Sequence, residues 1–355
     1  MKWREPKGYN SKEIDWAGEV LINDNHTAEE YNKAFEILDN WRAIHSYPMH
    51  VFKMRLKRKL PNIDNEGFGV QRLKRIPAII NKLNRSKIGH MRKLTLSQMQ
   101  DIGGCRAVLS DVSLVKKFAQ DYFIKSELKH KRYTEKDFIT KPRHSGYRGL
   151  HLIYKFYSDK GKNIYNGLLV EIQIRSRLQH LWSTAVETVG FFISQAIKSS
   201  EADTDWLDFF KLVSSAFALI ENCPCIKDTP TDEKELYLQI KQKESQLKVI
   251  KIMRGWRRAL KIFKEESRKN KKYQYYLLEL NIPEEKLTII SYTKSEESEA
   301  IKKYSEIEKK NKGKKEYDVV LVSADTSTDL EKAYPNYFLD ADEFLEHLKE
   351  IINKY

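Results

Sequence analysis

Cysteine is scarce in this chain of 355 residues: only three occur, and Cys223 and Cys225 flank Pro224 with no nearby histidine or second cysteine pair. That leaves a tetrahedral zinc site incomplete, so free thiols are expected. Long apolar runs are also absent. None approaches the roughly 20 residues of a membrane span. The amino-terminal MKWREPKGYNSKEIDW lacks the apolar middle and small-residue cleavage site of a secretory signal, so a cytoplasmic location is expected. There is no internal repeat and no low-complexity tract. What is present is the balance of a soluble globular protein, 41% hydrophobic and 32% charged. Lysine and arginine total 64 against 50 acids, a net charge of +14, which points to a polyanionic partner such as RNA. No membrane or DNA partner is expected.

The length exceeds one domain of roughly 100 to 200 residues, so two are expected. From Thr27 to about Lys59 apolar residues recur at helical spacing behind a Thr27 cap with Glu30 three residues on, and Pro48 should divide the stretch into two helices. A second amphipathic stretch runs from Gln71 to Leu83. CRAVL, residues 105–109, reads as a short buried strand, and a helix is expected over about 112–125. LHLIYKFY and GLLVEIQIR read as an antiparallel pair, followed by helices over about 178–196 and 206–222. Pro224 and Pro230 punctuate the chain, placing a boundary near residue 226. Beyond it a single long helix, 232 to about 269, leads to KLTIISYT, a charged helix, YDVVLVS and a final helix from about Asp340. The expected fold is α+β: a mixed sheet flanked by helices over 1–226, and a smaller α/β module on a helical arm over 227–355.

Phosphoryl transfer requires positioned phosphates, neutralised charge and an oriented nucleophile. Asp101 precedes IGGCRAVL at a strand entrance, while Glu171 and Gln173 alternate along VEIQIR and share one strand face. Carboxylates on paired strands can hold Mg²⁺ through oxygen ligands. The same residues also fit a turn cap at Asp101 and ion pairs from Glu171 to Arg175 or Arg106. QRLKRIPAIINKLNR sets Arg72, Lys74, Lys82 and Arg85 around a helix start and along its faces, and the spacing of Lys82 and Arg85 lets both reach one anion. A solvated helix face accounts for them equally well. In KPRHSGYRGLH, Gly146 and Gly149 bracket Tyr147 and Arg148, which lets the backbone approach a ligand and Tyr147 stack on a base. An ordinary aromatic turn has the same pattern.

In order along the chain, RLKRIPAIINKLNR, DIGGCRAVL, KDFITKPRHSGYRGLH and VEIQIRSRLQHLW resemble the RelA/SpoT synthetase family, over about residues 70–182. The resemblance implies a pyrophosphokinase that moves the pyrophosphate of ATP to a ribose 3′-hydroxyl. It implies that Arg72 and Arg106 sandwich the ATP adenine and that Lys74, Lys82 and Arg85 grip its phosphates. Asp101 and Glu171 would hold Mg²⁺, with Glu171 also helping to deprotonate the hydroxyl. Tyr147 would stack on the acceptor base, with Arg148 in the same glycine-bracketed loop and His151 and Gln173 on the acceptor side. Ala78 departs from the serine of many members, removing one hydroxyl donor near the phosphates.

NWRAIHSYP and DIGGCRAV resemble the toxic small alarmone synthetases, several of which modify the CCA end of tRNA. DVVLVSADTSTDLEKAYPNYFLDADEFL resembles the antitoxin-like module of CapRel fused toxin–antitoxin proteins. These likenesses imply a tRNA acceptor, a phage protein as trigger, and a synthesis of (p)ppGpp or (p)ppApp as the alternative. Two basic segments suit an acceptor-stem backbone: FKMRLKRKL, and KSELKHKRY with Lys131 and Arg132. Tyr334 and Tyr337, around Pro335 and Asn336, offer flat faces for a plug of the nucleotide site, and equally for a buried turn of the carboxy-terminal region.

Overall fold

The computed structural model describes residues 3–88, 94–126, 128–158, 161–196, 200–270, 272–281, 284, 286–310, 317–323 and 337–355. Two compact units divide it: residues 1–139 with 148–177, and residues 140–147 with 178–355.

In the first unit, reciprocal side-chain caps start two helices. Asn10 and Glu13 open α1 (Ser11–Val20), and Thr27 and Glu30 open α2 (Ala28–Ile44). The expected division follows at His45, and Pro48 falls in the first turn of α3 (Ser46–Lys59), where its missing N–H costs nothing. The Gln71–Leu83 stretch is not one helix. Phe68–Leu73 is strand β1 and α4 (Ile76–Ile88) begins one residue before Pro77. Proline is tolerated in a first turn and breaks a helix interior, so no helix continues from Gln71 across it.

Strands β2 (Gly103–Leu109), β3 (Lys131–Asp137), β4 (Leu150–Lys155) and β5 (Leu169–Ser176) complete a sheet of order β1-β2-β5-β4-β3. Only β2 and β5 pair in parallel; the β4–β5 pair is antiparallel, as expected. The sheet has two different faces. Cys105, Ala107, Ile172, Ile174, Leu152 and Tyr154 are buried on one, over which α3 and α5 (Val112–Ala119) pack. Phe52 of α3 lies 5.7 Å from the Tyr154 ring, and Phe123, just beyond α5, lies 6.0 Å from it. The residues on the other face are mostly charged or polar, and they build the site described below.

The second unit is organised around a large apolar cluster. Helices α6 (Arg177–Ala196), α7 (Ser200–Ile220), α8 (Glu233–Leu247) and α9 (Val249–Lys269) contribute Trp182, Phe209, Phe217, Leu236 and Met253 to it. Tyr276 and Leu278 of β6 (Tyr273–Asn281) join it from a three-stranded antiparallel sheet, order β7-β6-β8 with β7 (Lys286–Thr293) and β8 (Tyr317–Ser323). Leu277 alternates to the opposite face, against Ala300 and Ile307 of α10 (Glu297–Lys310). The last helix, α11 (Tyr337–Asn353), adds Phe344, Leu345, Leu348 and Ile351, and its buried Asp340 Oδ2 lies 3.0 Å from His180 Nε2.

One expectation changes here. The helix read as continuous from 232 to 269 is broken at Lys248, which holds a left-handed φ of 56°. That conformation costs roughly 1–2 kcal/mol in a non-glycine residue, and it lets apolar residues of both α8 and α9 reach the same cluster. Along the chain the two compact units meet at Arg177, and α6 and α7 bury their apolar faces with α8, α9 and α11.

Candidate active site

The ladder register gathers the candidate residues on the polar face. Arg72 lies opposite Gly104, and Gly104 opposite Glu171. Two residues along, Arg106 lies opposite Gln173, and Gln173 opposite His151. Directly paired residues share a face, so Arg72, Arg106, Glu171, Gln173 and His151 all project to one side. Gly104 leaves the floor between Arg72 and Glu171 bare.

Asp101 enters this face from the turn before β2. Its Oδ2 accepts from Lys74 Nζ at 3.0 Å and from Lys82 Nζ at 2.8 Å. Burial pushes its carboxyl up, and the Lys82 and Lys74 ammoniums more than offset that, holding it below the usual carboxylate range. Its Oδ1 is buried without a hydrogen-bond partner among the described residues.

Glu171 is held differently. Its Oε1 lies 2.8 Å from His151 Nδ1, and its Oε2 accepts from Gln173 Nε2 at 2.7 Å. Burial raises its pKa, the His151 and Gln173 hydrogen bonds lower it further than that, and the nearby Asp101 charge raises it; the balance lies below the ordinary value. Gln173 Oε1 in turn accepts from Arg175 Nη2 at 2.9 Å and from Arg106 Nε at 3.4 Å. This relay fixes the amide orientation, with oxygen toward the arginines and nitrogen toward the carboxylate. Phe138 stands edge-on to the His151 ring at 5.2 Å.

The orphaned Asp101 Oδ1 beside a second ionised carboxylate suits a hard cation. Among the described residues no group of three or more His, Cys, Asp or Glu could hold a metal, and Asp101 and Glu171 are the carboxylates on this face that would hold one. Mg²⁺ is commonly held in this way, by one or two carboxylates with water and substrate phosphates completing the shell.

Not every expected residue lies in this cluster. Arg85 is exposed on the last turn of α4, while Lys82 one turn earlier meets Asp101. Arg148 is buried and donates from Nη1 to the Ile139 carbonyl at 3.2 Å, joining the two ends of the 140–147 loop instead of standing exposed to a substrate. Tyr147 belongs to the second unit, half-buried against its core, with the Arg143 guanidinium 5.9 Å over its ring. The preceding Gly146 has φ +95°, and a Cβ there would lie 2.7 Å from the Trp182 ring. Lys131 and Arg132 are exposed on β3. Tyr334 lies outside the described residues, and Tyr337 opens α11.

One contributor escaped the sequence reading. Arg42 of α2 donates from Nε to the Lys74 carbonyl at 2.7 Å, a contact across 32 residues that no local spacing reveals.

Residues 71–189 match a family model described as a region found in RelA / SpoT proteins. GTP pyrophosphokinase YjbM of Bacillus subtilis (strain 168) is 29% identical over 131 residues, 35% of this chain and 56% of that protein. The chain therefore spans little more than half the length of this curated relative. Small alarmone synthetase 1 from Bacillus subtilis superposes with a TM-score of 0.43 at 20% identity, covering 52% of this chain and 92% of that one. A GTP pyrophosphokinase family protein from Streptococcus pneumoniae gives a TM-score of 0.39 at 20% identity, covering 50% and 86%. Residues 71–189 thus resemble the region found in RelA / SpoT proteins.

Proposed function

We propose that this protein transfers the pyrophosphate of ATP to a ribose 3′-hydroxyl, with the 3′ CCA end of tRNA as the acceptor. The observation that carries the transfer chemistry is the Asp101 carboxylate, gripped by Lys74 and Lys82 on one oxygen and uncommitted on the other. Incoming phosphates draw the two ammoniums from Asp101 onto themselves, and the Asp101 and Glu171 carboxylates are the residues that would hold Mg²⁺. The ion, when bound, neutralises phosphate charge as it builds up in the transition state. Arg72 and Arg106 suit the faces of the adenine. Glu171, kept ionised by His151 and Gln173, accepts the hydroxyl proton while the oxygen attacks the β-phosphorus. The bond from that phosphorus to the α–β bridging oxygen breaks, and AMP leaves.

The tRNA reading is supported by the edge strand. Lys131 and Lys155 sit directly opposite each other, a like-charge pairing that costs energy unless an anion lies across it. Lys131 stands 5.3 Å over the Tyr157 ring, and Lys155 stands 5.0 Å over the exposed Tyr133 ring. Ammoniums alternating with aromatic faces suit a nucleic-acid backbone and its bases. The name of the Bacillus relative, a GTP pyrophosphokinase, favours synthesis of a free alarmone, (p)ppGpp or (p)ppApp, as the second reading. Incubation with γ-labelled ATP and either deacylated tRNA or free guanosine and adenosine nucleotides decides between them. Label confined to free nucleotides overturns the tRNA acceptor.

The regulatory reading assigns residues 227–355 the restraint of the enzyme, in a cytoplasmic toxin–antitoxin fusion of phage defence. Tyr334 and Tyr337 occlude the nucleotide site, and a phage protein that binds only the withdrawn form shifts the population toward activity. Among the described residues no helix is long and apolar enough to cross a membrane.

A further inference from the structure

The carboxy-terminal end of α2, Asn40-Trp41-Arg42-Ala43-Ile44-His45, lies outside the matched region, and the proposed chemistry does not use it. Asn40, Arg42 and His45 each make hydrogen bonds within the first unit. Asn40 accepts from the Lys7 amide at 3.2 Å and donates to the Glu5 carbonyl at 3.1 Å, clamping the segment before α1. His45 Nδ1 donates to the Trp41 carbonyl at 2.7 Å. A Cβ on Gly103 would lie 3.0 Å from His45 Cβ, so β2 crosses this helix end at close quarters immediately after Asp101. Arg42 Nε donates to the Lys74 carbonyl at 2.7 Å. Lys74 also donates its amide to the Ile102 carbonyl at 2.8 Å, and its ammonium reaches Asp101 Oδ2 at 3.0 Å. One helix end therefore braces both flanks of the Lys74–Asp101 pair.

We infer that Arg42 is a positioning residue for the nucleotide-phosphate end of the site. By holding the Lys74 carbonyl it fixes the main chain from which the Lys74 ammonium is aimed. A lysine side chain has a flexible four-carbon stem, so its aim depends on a fixed origin. Lys74 begins the short link from β1 to α4, and the guanidinium–carbonyl bond is of the stronger, charge-assisted kind. The inference rests on reading Lys74 as a ligand of the ATP phosphates.

Binding of a non-hydrolysable ATP analogue with Mg²⁺ to the full-length protein, measured by calorimetry, tests it. The set comprises the parent, Arg42→Ala, Arg42→Lys, Lys74→Ala and the Arg42→Ala/Lys74→Ala double variant. Each single alanine is expected to weaken binding, Arg42→Ala by roughly tenfold, the scale of one charge-assisted hydrogen bond. Because Arg42 acts through Lys74, the double variant should bind within about twofold of Lys74→Ala alone. If Arg42→Ala does not fold, Arg42→Lys, which keeps the charge and lacks the Nε–H, carries the same comparison. Parent-like binding by Arg42→Ala, or losses that add in full in the double variant, overturns the inference and leaves the nucleotide site standing. Parent-like binding by Lys74→Ala, or no binding by the parent, removes the nucleotide reading and the inference with it.

Discussion

His151 Nδ1 lies 2.8 Å from Glu171 Oε1, although the residue directly opposite Glu171 on β4 is Ile153. The contact is diagonal: His151 sits at the position opposite Gln173, two residues along β4 from Ile153. It draws the carboxylate toward β4 and leaves Gln173 free to hold its other oxygen. The imidazole is also a main cause of the lowered Glu171 pKa, second only in size to the opposing effect of burial.

His151→Leu should therefore move the acid limb of the pH–rate profile to higher pH. The histidine depresses the Glu171 pKa, so without it the carboxylate takes up its proton earlier as pH falls. An acid limb in the same place as that of the parent would show that Glu171 is not the titrating base.

Asp101→Asn and Glu171→Gln should each lower AMP release by roughly 10²–10³-fold, the scale of losing one key electrostatic group. Both changes nearly conserve volume, so thermal melting should stay cooperative. Near-normal turnover in a folded preparation of either variant would refute the two-carboxylate Mg²⁺ site.

Reversing Lys131 and Arg132 to glutamate should weaken tRNA modification and flatten its dependence on salt. Each lost phosphate contact reduces the slope of log K against log salt by about 0.9 for a duplex. A slope equal to that of the parent would exclude the edge strand from the RNA contact.

Tyr334→Ala with Tyr337→Ala should raise basal activity and toxicity without any trigger. Protease resistance of α11 checks that the carboxy-terminal end remains packed. A folded double variant no more active than the parent would remove the plug from the mechanism.

His45 should make stability depend on mildly acidic pH. Burial lowers its pKa from 6.5 to about 4, so it is neutral in the fold and protonates readily when unfolded. Its contribution is fully present above pH 6.5 and is lost as pH falls toward 4, a difference of about 3 kcal/mol. Urea melts of the parent and His45→Asn between pH 7.5 and 4.5 should diverge in slope. Parallel curves would mean that His45 does not titrate on unfolding.

Much of the site was readable because strands impose a period of two. Glu171 and Gln173 on one face follow from VEIQIR alone, and Asp101 from its place before a buried strand. The partners were not readable, because ladder register is a non-local property. Nothing in the sequence pairs Gln173 with His151, or brings Lys74 to Asp101 across 27 residues. β3 was missed for a related reason: most of its residues are exposed, so KRYTEKD carries no apolar alternation. Arg148 looked like a binding residue beside two glycines, yet its guanidinium serves a main-chain carbonyl nine residues back. The break at Lys248 has no glycine or proline to announce it.

The shared core of the second unit has a cellular consequence. Phe344, Leu345 and Leu348 of α11 are buried with Phe210, Val213 and Phe217 of α7, more than a hundred residues earlier. A frameshift or protease clip near 226 would strip away one wall of that core and leave those side chains facing water. The shortened product would be a client for chaperones and degradation, not an unleashed enzyme.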